Sequence, residues 1–319
     1  MKTTFQLSAS MLMLGLSSLT AAAKVELLPF GNMDQWVTRN IKESGVIGGK
    51  QKTVYEIGPT RTIDGAKAYT NLGGSPWATS NVYAKVMGVV KTSNAVFPAD
   101  DPGNGKCSRL TTCLEQCKVL GLMNIEVLVS GSIFLGQMME PIANTSSPYS
   151  KMEMGIPYTR RPKAMVLDLK VVDPGSGIIT RATTGSKSTR KGTDSADVFV
   201  YLQRRWETPD GKLHAKRVGT ARRRFTGNTG WKRGTRLPIT YGDASQQPGY
   251  RSYMGLLSGD RAYYARNSKG KMVPVQEEGW DDADATPTHM IVMCSAGSGV
   301  AYEGQLGMEL WVDNVGMEF

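Results

Sequence analysis

The chain has 319 residues and a formal net charge of +10, from 38 Lys and Arg against 28 Asp and Glu. This length allows one large β-domain or two small ones, and the 36 glycines and 15 prolines indicate many turns. No segment has sustained helical periodicity. The absence of a Gly-rich phosphate loop and of a His-x-x-x-His pattern excludes the common nucleotide-binding and zinc-hydrolase motifs.

Residues 1–23 have the pattern of a secretory signal peptide. Lys2 supplies a positive start, residues 5–19 are apolar, and residues 21–23 are three alanines suited to cleavage. A transmembrane anchor is the weaker alternative, because the apolar run is too short to span a bilayer. We therefore expect an exported protein of the periplasm, cell surface or extracellular space, with one domain over residues 24–319. No Cys stands at the cleavage point, so no bacterial lipid attachment is expected.

Alternating apolar and polar residues predict strands along the whole mature chain. The longest alternations, at residues 165–172 and 198–203, are joined by a polar loop rich in Gly, Ser, Thr and Lys. Pro238 indicates that its strand lies at a sheet edge or has a bulge. The spacing of the turn signals predicts an all-β sandwich. The predicted strands lie within residues 50–57, 102–112, 122–136, 165–172, 198–203, 231–241, 290–294 and 307–319.

The positive charge is concentrated in the middle of the chain. Residues 160–236 hold nineteen Lys and Arg against six Asp and Glu. A solvated basic surface is the usual meaning of such a segment, and a site for an anionic partner is the alternative. Nucleic acid is the default partner of a basic intracellular protein. Export instead favours an acidic polysaccharide or an anionic envelope surface, and no nucleic-acid partner is expected.

Four cysteines leave the disulfide pattern open. Export permits disulfides, four cysteines allow three full pairings, and the spacing matches no common zinc motif. The favoured pairing is Cys113–Cys117, within the sequence CLEQC. The alternative is four unpaired thiols, because a domain of this size does not need a disulfide for stability. The cysteines are Cys107, Cys113, Cys117 and Cys294.

Seven short motifs occur in order along the mature chain: GNMDQW, SPWATSN, GKCSRLTT, GIPYTRRPKAM, DSADVFVYL, WKRGTRLPITY and ELWVDNV. Together they resemble the PCMD family, a carbohydrate-metabolism domain of exported proteins in glycan-degrading gut bacteria. The resemblance implies an all-β, jelly-roll-like antiparallel β-sandwich similar to carbohydrate-binding modules. The chain departs from the opening motif at Met33 and Asp34, where the family has Phe and Glu. The lipid attachment and the additional Ig-like domain common in the family are not visible here.

A calcium site is a further expectation. In many carbohydrate-binding jelly rolls the first and last strands lie side by side, with a calcium ion tying them together. Calcium takes about six to eight oxygen ligands, and Asn32, Asp34 and Asp313 are candidates to supply some of them. The alternative is that Asp313 caps a turn or accepts backbone hydrogen bonds.

Aromatic side chains that can stack on sugars are the candidate binding residues. Phe199 and Tyr201 share one face of a predicted strand, and the alternative for both is burial under loops. Trp206 is adjacent to two arginines, which suits an acidic sugar. The full set of candidates is Trp77, Phe199, Tyr201, Arg204, Arg205, Trp206 and Trp280.

The sequence gives little support to catalysis. Glycoside hydrolysis needs two carboxylates at a set separation, and the acidic run QEEGWDDAD at residues 276–284 is typical of a solvated loop. We therefore predict a non-enzymatic protein that binds polysaccharide and supports its capture or degradation. A structural or adhesion component of the cell envelope and a glycoside hydrolase are the two alternatives.

Overall fold

The structure is a computed structural model that describes residues 24–119 and 123–319, so the predicted signal peptide lies outside the described residues. The first thirteen strands come before the middle of the chain. They are β1 Val25–Leu27, β2 Trp36–Lys42, β3 Gln51–Ile57, β4 Arg61–Asp64, β5 Trp77–Thr79, β6 Val82–Val86, β7 Val89–Ser93, β8 Val96–Asp101, β9 Gly105–Val119, β10 Met123–Ser130, β11 Ser132–Met138, β12 Met152–Met154 and β13 Ile156–Pro157.

Twelve further strands and five short 3-10 helices complete the described residues. The strands are β14 Ala164–Val172, β15 Ile178–Thr183, β16 Ser186–Lys191, β17 Ala196–Glu207, β18 Leu213–Phe225, β19 Lys232–Pro238, β20 Thr240–Tyr241, β21 Tyr264–Arg266, β22 Met272–Trp280, β23 His289–Ser295, β24 Glu303–Gly304 and β25 Glu309–Glu318. The helices are Gly45–Ile47, Pro148–Lys151, Ala244–Gln246, Ser252–Met254 and Gly259–Arg261. No helix in the described ranges is long and apolar enough to cross a membrane.

Two large sheets confirm the predicted all-β sandwich. The seven-stranded sheet has the order β10-β9-β25-β14-β19, with β1 added to β25 and β8 added to β9. The ten-stranded sheet has the order β13-β23-β17-β18-β22-β21-β12-β11-β5, with β20 added to β18. Most pairs are antiparallel, but β2–β4, β12–β21 and β18–β22 are parallel. β19 lies at a sheet edge, as Pro238 indicated.

The two longest predicted strands lie in different sheets, and their inward faces meet in one core. β14 contributes Leu167 and Leu169 and β17 contributes Val198 and Val200, all fully buried in a single hydrophobic cluster. Because side chains alternate along a strand, the residues between them point to the outer faces of the sandwich. Burial of these apolar side chains is the main source of stability, at about 25 cal/mol per Å² of apolar surface.

The polar loop between these two strands is itself a hairpin. β15 and β16 pair antiparallel from Ile178↔Lys191 to Thr183↔Ser186, and β24 joins β15 on its other side. All of β16 is solvent-exposed. β16 lacks apolar residues because both of its faces are exposed to solvent. A strand without a buried face shows no alternation of apolar and polar residues, so the sequence pattern did not predict it.

The first and last described strands lie side by side. β1 pairs antiparallel with β25, with Val25 opposite Glu318. β25 also pairs with β14 and with β9, so it occupies the centre of the seven-stranded sheet.

The predicted Cys113–Cys117 disulfide is wrong. Both residues lie on β9 rather than in a loop, and all four cysteines have free thiols. Four residues along a strand span about 13 Å, whereas a disulfide joins Cα atoms that are about 4.4–6.8 Å apart.

Candidate functional site

A single row of side chains crosses the outer face of the seven-stranded sheet. Phe97 of β8 is paired with Arg109 of β9, Arg109 with Trp311 of β25, and Trp311 with Lys170 of β14. Their chain neighbours Val96, Leu110, Leu310, Leu169 and Val171 are buried in the core. Alternation along each strand therefore places all four residues on the outer face.

Aromatic rings and cations alternate along this row. The Arg109 guanidinium carbon lies 5.4 Å from the Phe97 ring centre and 5.8 Å from that of Trp311. Lys170 Nζ lies 3.6 Å from the centre of the Trp311 ring. These distances fall in the range of cation–π interactions, worth about 0.5–1 kcal/mol each at exposed sites.

Two residues near β19 extend the row. The Trp231 ring centre lies 5.5 Å from Lys170 Nζ and 4.2 Å from the Arg233 guanidinium carbon. All the members are partly or largely exposed to solvent. We call this set the cation–aromatic row: Phe97, Arg109, Trp311, Lys170, Trp231 and Arg233.

The three cations differ in their carboxylate partners. Arg109 lies 3.6 Å from a Glu309 oxygen, and Arg233 forms ion pairs with two aspartates at the edge of the row. Among the described residues, no carboxylate forms a salt bridge with Lys170. Lys170 therefore retains an uncompensated charge at the centre of the row, where an anionic ligand would be attracted.

Three carboxyl groups lie beside the row at its Arg233 end. Asp101, Asp168 and Asp313 are all buried, and Asp313 lies opposite Asp168 in the β14–β25 register. Burial, followed by the neighbouring Asp101 and Asp168, raises the pKa of Asp313 to about 7. A hydrogen bond from Arg233 lowers the pKa of Asp101. The cluster thus pairs a carboxyl group that stays protonated at mildly acidic pH with an ionised one.

The candidate calcium ligands make hydrogen bonds within the chain. Asn32 Nδ2 donates to Asp34 Oδ2 at 2.7 Å, and Lys106 N donates to Asp34 Oδ1 at 2.8 Å. Asp313 accepts a hydrogen bond from Asn314 N at 2.7 Å, which is the alternative role foreseen for it. Asp34 is exposed, whereas Asp313 is fully buried. The described ranges contain no group of three or more His, Cys, Asp or Glu arranged to hold a metal ion.

Three of the candidate sugar-binding aromatics are buried. The Phe199 and Tyr201 rings stack with their centres 4.7 Å apart, and Tyr201 is covered by the Arg217 guanidinium at 3.5 Å. Trp77 is 0% exposed, and its Nε1 donates to Pro29 O at 2.9 Å. Phe199 is only 2% exposed. None of the three presents an open ring face for stacking on a sugar.

The remaining candidates do not form one surface. Arg204 makes two hydrogen bonds to Asp281, at 2.6 and 2.8 Å. Arg205 lies on the opposite face of β17, where burial lowers its pKa to about 10 and Nη2 donates to a backbone oxygen. Trp206 stacks on His214 at 5.7 Å. Trp280 contacts Tyr250 edge-on at 6.5 Å. The positive charge expected beside Trp206 is therefore largely neutralised or buried.

The acidic run QEEGWDDAD is a solvated loop only in part, because Glu278, Asp282 and Asp284 are exposed but other members are not. Its first half belongs to β22, and Glu277 is fully buried against the equally buried Arg217. Glu277 also accepts hydrogen bonds from Gln203 Nε2 and Leu257 N, both at 2.6 Å. The parallel pairing of β22 with β18 places the Glu277 carboxylate inside the fold. The number of acidic residues in the segment does not reveal which strand it pairs with.

None of the six members of the row is among the candidate residues that the sequence indicated. Three of them carried a usable signal, because they alternate with core residues in strands that were predicted. Their meeting in one row depends on the pairings β8–β9–β25–β14, which join segments far apart in the chain.

Comparisons with known proteins give limited similarity. No protein-family model matches the chain, and no curated protein matches it. A "putative glycoside hydrolase" from Bacteroides thetaiotaomicron is similar at 15% identity and a TM-score of 0.42, over 85% of this chain and 75% of that one. Another "putative glycoside hydrolase", from Bacteroides vulgatus, has 12% identity and a TM-score of 0.42, over 92% and 94%. At this TM-score neither protein supplies an activity for this chain.

Proposed function

We propose that this protein binds carbohydrate at the cation–aromatic row without catalysing a reaction, and that it is exported to support polysaccharide capture or degradation. The observation that carries the proposal is the continuous alternation of rings and cations across five strands. From Phe97 to Lys170 the row spans three inter-strand spacings, about 14 Å. An extended surface of this kind suits a polymer better than a small molecule. Export is supported by the pattern of residues 1–23.

The preferred ligand is an acidic polysaccharide. Carboxylate or sulfate groups would form charge-assisted hydrogen bonds with Arg109 and Lys170, and the apolar faces of the sugar rings would lie against Trp311 and Trp231. Stacking already restricts the cations, so less conformational entropy is lost when the ligand binds. The resemblance to the PCMD family implies a carbohydrate ligand, and the acidic preference rests on the cations of the row.

Glycoside hydrolysis is the second candidate function, and one observation favours it. Asp313, with a pKa raised to about 7, lies beside Asp168 and Asp101, a pairing of unlike carboxyl groups used in acid–base catalysis. We prefer binding, because Asp313 has no exposed surface through which a glycosidic oxygen could reach it. Release of reducing ends from a retained polysaccharide, abolished by Asp313→Asn, would reverse that preference.

Affinity electrophoresis in gels containing uronic-acid, sulfated or neutral glycans tests the proposal. The wild-type protein is expected to be retarded most by an acidic glycan, and Trp311→Ala is expected to lose most of that retardation. Trp206→Ala is the matched control, because Trp206 is a partly exposed tryptophan outside the row. Equal retardation of the Trp311→Ala and wild-type proteins would show that the cation–aromatic row is not the binding site. No retardation in any gel would favour the envelope-component alternative.

A further inference from the structure

A groove of about 330 Å³ lies on the other side of the molecule, above the outer face of the ten-stranded sheet. One wall is β6, which contributes Val82, Ala84 and Val86. Another wall is β10, which contributes Ile125, Val127 and Val129. In β6 every second residue lines the groove, so this strand turns an apolar face toward it. In β10 the lining also includes Leu128 and Ser130, so this wall is apolar except for one hydroxyl. We call this cavity the apolar groove.

The floor of the apolar groove is also largely apolar. It includes Phe199 together with Met293 and Tyr263. Two further thioethers, Met138 and Met152, line the same space. Methionine side chains are flexible and polarisable, and they adapt to ligands of irregular shape.

Several of the polar groups that line the groove are engaged within the chain. Asp197 accepts hydrogen bonds from the Arg222 guanidinium, at 2.9 Å to Nε. Ser298 Oγ donates to Asp194 at 2.9 Å, and the Tyr302 hydroxyl donates to a backbone oxygen. A sugar needs many hydrogen bonds to replace those it makes with water, so the apolar walls of β6 and β10 favour a less polar ligand. Its volume lies in the range of small-molecule sites.

Within the described ranges, the Tyr263 hydroxyl lacks a strong hydrogen-bond acceptor. Among the described residues, its hydrogen-bond partner is the Met293 sulfur at 3.9 Å, and a thioether is a weak acceptor. Burial raises the pKa of Tyr263, so the hydroxyl keeps its proton. A buried donor that lacks a strong acceptor is costly, and a ligand oxygen in the groove would satisfy it.

We propose that the apolar groove binds a fatty-acyl compound, with the acyl chain between β6 and β10 and an oxygen of the head group accepting a hydrogen bond from Tyr263. The aliphatic walls match a flexible hydrocarbon chain. The site is independent of the cation–aromatic row, so the proposal does not depend on the carbohydrate function.

Titration of the mature protein with lauric acid, below its micelle concentration, tests the proposal through displacement of the fluorescent probe N-phenyl-1-naphthylamine. We expect saturable probe binding and stoichiometric displacement by lauric acid. Tyr263→Phe removes only the hydroxyl, and it is expected to weaken lauric acid about three- to tenfold, the loss that corresponds to one hydrogen bond. Probe binding itself should change little in that variant.

Filling the groove locates the site. Val127→Trp is expected to weaken both the probe and lauric acid more than about tenfold, by occupying apolar space. Ala84→Trp is expected to weaken both ligands in the same way, because it fills the groove from the opposite wall. It replaces Val127→Trp in the test if that variant fails to fold. Val46→Trp is the matched control, because Val46 is 65% exposed and does not line the groove. Absence of saturable binding to the wild type, or wild-type affinity in both filled variants, would overturn the proposal. Unchanged lauric acid affinity in Tyr263→Phe would overturn the role of the hydroxyl.

Discussion

Lys170 Nζ lies 3.6 Å from the centre of the Trp311 ring, in a pair of directly opposed residues on β14 and β25. The two strands come from the middle and the end of the chain, so the contact is a product of the sheet topology. It places an uncompensated positive charge on an aromatic surface in the centre of the seven-stranded sheet. Because Lys170 and Trp311 are in contact, we propose that one ligand both pairs with the Lys170 charge and stacks on the Trp311 ring.

Lys170→Gln separates the electrostatic part of binding from the stacking part. We expect weaker binding of an acidic polysaccharide at low salt and a flatter dependence on salt, because exposed charges are screened beyond about 8 Å at physiological ionic strength. Trp311→Ala should instead weaken binding at every salt concentration. Affinity measured across a salt series checks both effects, with Lys52→Gln at the exposed start of β3 as the charge-matched control. Parallel salt curves for Lys170→Gln and the wild type would contradict this prediction.

Glu277→Gln is expected to destabilise the fold by about 3–5 kcal/mol, because it leaves the fully buried Arg217 guanidinium without its counter-ion. Urea denaturation followed by fluorescence measures the change. Glu278→Gln is the control: the neighbouring carboxylate is 49% exposed, and surface changes usually stay within about 0.5 kcal/mol. A shared unfolding midpoint for Glu277→Gln and the wild type would mean that the buried pair contributes nothing.

Asp313 should make stability depend on pH around neutrality. Its pKa rises from the ordinary 3.8 to about 7 on folding, so its contribution is fully present below about pH 4 and is lost as pH rises through about 7. Asp313→Asn keeps the shape and cannot ionise. The wild type should therefore lose stability relative to this variant between about pH 4 and pH 7. Denaturation midpoints at several pH values check this, and a pH-independent difference would rule out titration of Asp313.

Calcium binding at Asn32, Asp34 and Asp313 remains a proposal with a direct test. If an ion is shared, a chelator should lower the melting temperature, and added calcium should raise it in proportion to the logarithm of its concentration. Asp313→Ala should remove that sensitivity. Identical melting curves with and without chelator would leave Asp313 in its hydrogen-bonding role alone.

The four thiols should react slowly in the folded protein. Burial raises the pKa of Cys107 to about 12 and that of Cys113 to about 11, and it also raises the pKa of Cys117 and Cys294. The thiolate is the reactive form. We expect a thiol reagent to modify the native protein slowly and all four cysteines quickly after denaturation. Mass spectrometry should find no disulfide, and a Cys113–Cys117 crosslink in native material would contradict the structure.

Local patterning was enough to predict the all-β sandwich and the strands β14 and β17, although β18, with 13 residues, was not predicted. Leu167, Leu169, Val198 and Val200 alternate with other residues at period two, and this pattern is a direct consequence of strand geometry. Turn residues and prolines affect only the few residues around them. The edge position of the strand that contains Pro238 could therefore also be predicted from the sequence. Fold class and core membership therefore follow from contacts between near neighbours in the chain.

The tertiary structure decided which strands became neighbours and which faces were covered. Trp77 and Tyr201 have sequence surroundings compatible with exposure, yet loops and neighbouring strands bury both. Glu277 belongs to an acidic run, yet its pairing with Arg217 places it inside the fold. Phe97, Arg109, Trp311 and Lys170 form one surface only because β25 is inserted between β9 and β14. The alternation of side chains along a strand determines which residues share a face. Packing between segments that are distant in the chain determines which strands pair, and these pairings formed the candidate site.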